Sequence, residues 1–438
     1  MSDAPPGTLR TWGRTHAVRP ESLLRPVDEQ GVIDAVVQAR RDGRTLKPFG
    51  ALHSWSDAAI CPHRMLSLDA MSGVSVRTGP AGEPRAVVAA GTRLRDLNTA
   101  LDDAGLAMPI LGSVAEQSLA GAVSTGTHGS ARAHGNLASG VRRARLVTGT
   151  GEVLELVEGD ARLDAVRVGL GALGILTELE VDVQPAFHLA EGAVPMPFAQ
   201  VVEQLDTLAG AAEYVKLWWL PHTGMVQVFS AERTSEPSGF SPLGRWVDEA
   251  VVNRVAFSGV LAASRVLPSA IPTLNRLVGL TYFRPRRLVA PSHRIFNIAM
   301  PPVHREMEYA IPFERTAEAL AGIEQWIRDD GLRVNFVVEV RFVKGDTGWM
   351  SPAHGRDTTQ IGAYMAQSAD LDAYYAGFEA RMLALDGRPH WGKEFFAPAD
   401  TVLQRYPRSA DFLALAAELD PDGVFHNPFV SRLVAGSR

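Results

Sequence analysis

The chain has 438 residues, one of them cysteine, and a formal net charge of −6. With 46% apolar and 21% charged residues it is ordinary globular material, neither disordered nor fibrous, and too long for one simple core. The lone Cys61 excludes an intramolecular disulfide framework and a thiolate-rich metal site and fits a reducing, cytoplasmic setting, while the acidic balance argues against nucleic acid as a partner.

The opening stretch, MSDAPPGTLRTWGR, lacks the apolar run of a cleavable secretory signal. Residues 27–43 read as a helix, with Asp28 and Glu29 early and Val32, Ile33, Val36 and Val37 as its apolar stripe. A short strand in TLKPFGALHSW then runs into a loop, and 84–92 is a second strand. Residues 93–104 form a helix with Leu94, Leu97 and Leu101 on one face, stopped by Gly105. Residues 141–159 read as a hairpin about Gly149-Thr150-Gly151, Asp160–Val168 as a short helix, and 175–185 as a strand. Beyond about 186, strands (YVKLWWLP, GMVQVFS, REMEYAIP, RVNFVVEVRFV) alternate with amphipathic helices such as 314–330. This pattern predicts a second α+β unit built on an antiparallel sheet.

The apolar stretch 250–282 is interrupted by Arg254, Arg265 and Arg276 and broken by Pro268 and Pro272, so it does not span a membrane. It reads as a solvent-edged helical pair, with peripheral membrane contact through a basic face as the alternative. Residues 169–174, GLGALG, match the dinucleotide fingerprint literally. The fingerprint needs a strand before it and a helix after it; here a helix precedes and a strand follows. The glycines are therefore expected to serve a tight turn and close backbone approach.

Four segments carry the chemistry. They are Pro48-Phe49-Gly50-Ala51-Leu52-His53-Ser54-Trp55, then Leu111-Gly112-Ser113 with Ser118 to Gly121 and Ser124 to Ser130, then Glu339-Val340-Arg341 with Trp349-Met350-Ser351-Pro352, and His390-Trp391-Gly392-Lys393 with the tail Asp420-Pro421-Asp422-Gly423-Val424-Phe425. Taken singly, the first two are Gly/Ser/Thr loops that could cradle phosphate or simply turn. In this order and spacing the four resemble the FAD-linked oxidases of the vanillyl-alcohol oxidase (PCMH-type) superfamily, and within it the sugar-lactone and alditol oxidases.

The resemblance implies an α+β, two-domain fold: a PCMH-type FAD-binding domain over 1–186, a substrate (cap) domain on an antiparallel sheet over 187–387, and a segment 388–438 returning to the flavin domain. It implies FAD bonded covalently to His53 through the 8α-methyl, with no second, cysteinyl bond because 111–130 holds no cysteine. Pro48, Phe49, Gly50, Ala51, Leu52 and Ser54 would wrap the pyrophosphate. Ser118, Gly121, Thr125, Gly126, Thr127 and His128 would line its other side, Ile175 would touch the adenine part, His390 would pack near the flavin, and Ser113 would also contact the cofactor. No metal is expected.

Residues Asn335 to Phe342 alternate with period two, placing Phe336, Val338, Val340 and Phe342 on a packing face and Glu339 and Arg341 on the other. Such a pair in an apolar strand is either a structural ion pair or a working one. The resemblance makes Glu339, Arg341, Lys393 and Ser113 the substrate-binding set, the first three of them catalytic. Lys393 is expected to have a lowered pKa, from burial and a nearby Arg341, and so to accept or share a hydroxyl proton. The implied reaction is hydride transfer from a CH–OH group of an aldonolactone to flavin N5, with oxygen or another acceptor. An alditol oxidase is the alternative. Alditol oxidases carry a threonine in the strand after the W-x-S-P segment, and none aligns clearly in Gln360 to Met365.

Overall fold

The computed structural model describes residues 7–247, 255–366, 368 and 370–436. Its first helix, Glu29–Arg41, begins where Asp28 accepts the Gly31 N–H (2.8 Å) and ends at Gly43, held at φ +60°. Val32, Ala35, Val36 and Ala39 are its buried face, so Ile33 and Val37 lie one step off the stripe and are only half-buried. Beside it the strands Ser22–Leu24, Arg64–Ser67 and Leu46–Phe49 form a parallel sheet in that order.

A five-stranded antiparallel sheet completes this unit, in the order Val153–Val157, Val141–Val147, Ile175–Asp182, Pro84–Ala89, Val74–Thr78. The hairpin pairs Val147 with Val153 and turns through Gly149-Thr150-Gly151, with Gly151 at φ +88°. The GLGALG segment lies between the helix Ala161–Val166 and the strand Ile175–Asp182, the reverse of a dinucleotide site. Leu170, Gly171 and Gly174 all have positive φ, and a Cβ on Gly174 would stand 2.8 Å from the Val147 carbonyl. Close approach is what this turn needs.

The second unit is an eight-stranded antiparallel sheet in the order Arg286–Pro291, His188–Pro197, Met225–Thr234, Tyr214–Leu220, Val338–Val343, Thr358–Met365, Arg305–Pro312, Arg388–Pro389. Helices Thr316–Asp329 and Leu371–Ala384 cover one face with Leu320, Ile323, Trp326, Tyr374 and Phe378. The other face is left for the site. The expected strand from Asn335 begins only at Val338. Val338, Val340 and Phe342 pack into the core as read, but Phe336 joins a separate cluster with Leu261 and Ala366.

Helices Ala399–Leu403, Ser409–Leu419 and Pro428–Gly436 bury Val402, Phe412, Phe429 and Val430 in the core of the first unit. The tail before the last helix is a clamp. Asp420 accepts the Val424 and Phe425 N–H groups (both 2.8 Å), and Leu46 N–H donates to Val424 O (2.8 Å). Lys47, 2% exposed, donates to the carbonyls of Gly171 (2.8 Å), Leu170 (3.2 Å) and Phe425 (3.5 Å), tying tail to turn. Cys61 is buried and free.

Helices Ser258–Val266 and Ile271–Tyr282 are separated by a 3₁₀ turn at Pro268–Ala270, so Arg265 and Arg276 do not share one continuous helix; Arg254 lies outside the described residues. No helix among the described residues is long and apolar enough to cross a membrane.

Candidate active site

A cavity of about 640 Å³ lies where the two units meet. The first unit lines it with His53, Ser54, Gly112, Ser113, Gln117, Thr125, Thr127 and His128, and the second with the open face of the large sheet. Register brings the sheet residues together: Trp218 lies opposite Glu339, Glu339 opposite Gly362, and Gly362 opposite Glu308.

Glu339, 4% exposed, takes three donors and keeps acceptor capacity on Oε2. Oε1 accepts from Trp218 Nε1 (2.7 Å) and from an Arg341 terminal nitrogen (2.9 Å), and Oε2 accepts from the Tyr364 hydroxyl (2.5 Å). Burial alone pushes this carboxyl up, but Arg341 and the donors outweigh it and hold the group below the usual range. The same Arg341 nitrogen donates to Ser113 Oγ (2.5 Å), joining the sheet to the loop of the first unit, while Arg341 Nε has no partner among the described residues. Tyr364 is held well above the usual phenol range by burial and by Glu306 and Glu339, so its hydroxyl remains a donor.

Lys393 lines the same cavity as Arg341, with carboxylates beside it. Its ammonium pairs with Glu306 (2.5 Å), lies 3.8 Å from Glu308 and sits 4.3 Å from the Trp55 ring. Opposite charges surround it in place of the predicted like charge. Glu306 and Glu308 are the acidic residues that the sequence reading missed. Both are buried, at 2% and 6% exposure, and alternate with Met307 and Tyr309 just as Glu339 and Arg341 alternate with core residues.

Glu308 Oε1 lies 3.0 Å from His128 Nε2, and His128 Nδ1 bonds Gly129 O at 2.9 Å. Burial raises the Glu308 carboxyl, but His128 and Lys393 outweigh this and lower it. His390 stacks obliquely 5.5 Å from His128 and accepts the Gly392 N–H (3.0 Å). Burial, aided by His128 and Lys393, depresses its pKa to about 3, so it is neutral. The ligand atoms of His128, Glu308 and His390 lie within 4.8 Å of one another, close enough to share a cation, but each residue already has a partner in the protein.

His53 lies flat against Trp12 (centroids 5.8 Å apart, 16° between planes), and its Nδ1 is buried with no hydrogen-bond partner. Burial, with Lys393 and Arg93, lowers its pKa to about 4. Leu52 is held at φ +54°, and the backbone N–H groups of Ala51 to Ser54 bond no other described residue. Consecutive free N–H groups suit phosphate oxygens, and an orphaned buried imidazole nitrogen suits a bond to a group that the protein itself does not supply.

Several expected cofactor contacts fall outside the cavity wall. Pro48, Phe49, Gly50, Ala51, Leu52, Ser118, Gly121 and Gly126 do not line it, and Ser118 caps its own helix by accepting the Gly121 N–H (3.2 Å). Gly50 is there for contact with that serine, since a Cβ would stand 2.3 Å from Ser118 Oγ. The side chain of Ile175 is wholly buried in the core of the first unit. The W-x-S-P segment is scaffold: Met350 O accepts from Trp391 Nε1 (2.7 Å), and Ser351 bonds Asp346 (2.6 Å) and Asn136 (3.0 Å).

Residues 20–157 match the FAD-binding domain family, and residues 179–433 match the D-arabinono-1,4-lactone oxidase family. The chain is 32% identical to L-gulono-1,4-lactone dehydrogenase of Mycobacterium tuberculosis over 97% of its own length and 98% of the relative's. It is 30% identical to L-gulonolactone oxidase of Bos taurus, again over 97% and 98%. Cholesterol oxidase from B. sterolicum superposes with a TM-score of 0.85 over 99% of both chains at 15% identity, a likeness of fold. The fold is that of a PCMH-type flavoprotein oxidoreductase. Within that class the chain belongs to the D-arabinono-1,4-lactone oxidase family.

Proposed function

We propose that the protein is a FAD-dependent oxidoreductase that takes hydride from a CH–OH group of an aldonolactone of the L-gulono- or D-arabinono-1,4 type, with oxygen as acceptor giving hydrogen peroxide. The observation that carries this reading is the Ser113–Arg341–Glu339 network, which presents both charges of a buried pair to the cavity that His53 also lines. The flavin, when bound, supplies the hydride acceptor. The chain's own residues do the rest.

Arg341 and Ser113 hold the substrate hydroxyl and stabilise the alkoxide left as its proton passes to water in the cavity, a charge that moves into the new C=O bond as the hydride leaves carbon; a donor fixed in this way contributes about 3–4 kcal/mol. Glu339 orients Arg341 and accepts from a second hydroxyl. Lys393, anchored by Glu306, supplies a fixed positive charge to the same developing oxyanion. Neutral His390 packs against the ring without competing for the proton. Absorbance tests the whole reading. The purified protein should be yellow, and adding L-gulono- or D-arabinono-1,4-lactone without oxygen should bleach the flavin band. Bleaching by alditols with none by lactones would overturn it in favour of an alditol oxidase, and peroxide assay against dye reduction fixes the acceptor.

His53 is the proposed tether, through its orphaned Nδ1, to the flavin 8α-methyl. Acid-precipitated wild-type protein should keep its colour, and His53→Ala should lose it to the supernatant. A colourless wild-type pellet removes the covalent bond. The proposed division is a flavin domain over 1–186, a cap over 187–387 and a returning segment over 388–438. A cytoplasmic enzyme is proposed, with peripheral membrane contact through exposed Val266, Leu267, Leu277 and Leu280 beside Arg265 and Arg276. Flotation with anionic vesicles tests that contact.

A further inference from the structure

Behind the active-site cavity lies a second one, of about 740 Å³. The two share Trp55, His304 and Lys393, so the wall between them is one side chain thick at these points. Two of the three, Trp55 and His304, are aromatic, and Trp12 packs behind them. Trp12 stacks on His53 and meets Trp55 edge-on (5.5 Å) and His304 (5.3 Å), and Trp55 Nε1 donates to His304 O (2.9 Å).

The outer rim is built by the hairpin of Leu9–Arg10 with Ala17–Val18. Its tip is pinned by Trp12 N–H to Leu52 O (2.7 Å) and by Thr15 Oγ1 to Trp55 O (2.7 Å). Gly13 lies flat on Trp55, where a Cβ would stand 2.5 Å from the indole. The next residue, Arg14, is held at φ +58°, a conformation disfavoured for any residue with a side chain.

Charge at the outer cavity does not balance. Arg305 pairs with Glu394, Arg432 with Asp57, and Lys393 with Glu306. Arg14 and Arg265 also line the cavity, both are exposed, and neither has a carboxylate partner among the described residues. Unpaired guanidinium groups over a pocket of small-molecule size make an anion site.

We infer that the outer cavity receives an anionic quinonoid electron acceptor, and that Trp55, backed by Trp12, forms the wall through which it draws electrons from the flavin. The inference rests on the reading that His53 holds the flavin. In the step, the reduced flavin returns to its oxidised form by giving up two electrons and two protons. The electrons cross the wall, the protons leave to water, and the quinonoid acceptor takes up two of each to become its dihydro form. Oxygen needs no such site and is expected to reach the flavin independently.

The test separates the two half-reactions. Enzyme photoreduced without oxygen is mixed in a stopped-flow instrument with 2,6-dichlorophenolindophenol (an anion), phenazine methosulfate (a cation) or oxygen. The double variant Arg14→Glu/Arg265→Glu should be reoxidised by the indophenol at least tenfold more slowly. Its reoxidation by oxygen, and its reduction by lactone, should be unchanged, and the phenazinium should react as fast as before or faster. Equilibrium dialysis of the indophenol against oxidised enzyme, in which no electrons move, should show weaker binding to the variant. Equal slowing by anion and cation, or no slowing by the anion, overturns the site. A colourless protein overturns the flavin reading beneath it, and a photoreducible protein that lactones do not bleach loses its substrate assignment while the acceptor result stands.

Discussion

Arg341 has two tasks at one nitrogen, since it neutralises Glu339 and reaches across to Ser113. The two separate by substitution. Arg341→Ala leaves a buried carboxylate unpaired, which costs on the order of 3–5 kcal/mol and should show as a large fall in Tm. Arg341→Lys keeps the charge beside Glu339 but cannot fork to the serine. It should fold normally, bind flavin, and be reduced by lactone at least a hundredfold more slowly, about 3 kcal/mol of lost stabilisation. Stopped-flow reduction at the wild-type rate in this variant would reduce Arg341 to a structural ion pair. The Glu339/Arg341 pair was readable because charged residues alternating with core residues on a strand must face something. Glu306 and Glu308 carry the same alternation and escaped, because what makes them legible is their partners, Lys393 and His128, from distant parts of the chain. The ion pair that redirects Lys393 is invisible for the same reason.

At the scale of elements, local patterning did well wherever hydrogen bonds are local. The capped helix at Glu29, the 141–157 hairpin and the strand after GLGALG follow from spacing and turn chemistry alone. The start of the strand at Val338 did not, because alternation continues into Asn335 to Val337 while the neighbouring strand pairs only from Val338 onward. GLGALG shows what the glycines do instead of binding a nucleotide. Gly174→Ala would push a Cβ to 2.6 Å from Leu146 and 2.8 Å from the Val147 carbonyl, at a φ of +151° that suits glycine alone. Overpacking of this kind costs about 1–3 kcal/mol, with backbone strain added. Chemical denaturation should show a loss of that size, and an unchanged midpoint would mean the turn yields freely.

Across the whole molecule, Lys47 is where three distant segments meet, and burial depresses its pKa from 10.5 to about 7. The unfolded chain therefore binds more protons here than the folded one between these two values, so this residue makes stability rise with pH across that window and fall again towards pH 7. The stability of wild type minus that of Lys47→Met should increase between pH 7 and 10, because titrations common to both chains cancel. A flat difference would mean that the lysine keeps an ordinary pKa inside the fold. Neither the burial of Lys47 nor its carbonyl partners could be read from the sequence, where it is one cation in a short strand.

The return of helices 399–403, 409–419 and 428–436 to the first core has a consequence for biosynthesis. A chain emerging from the ribosome usually folds its leading domain first. Here that unit, with Phe412, Phe425 and Phe429 still to come, would wait with its apolar surface open while the large sheet behind it folds complete. The order of folding is then the reverse of the order of synthesis, and flavin would be acquired only after release. Nascent chains stalled with residue 390 outside the tunnel should show a protease-resistant core from 188–389 and none from 20–185; a resistant leading unit at that length would refute it.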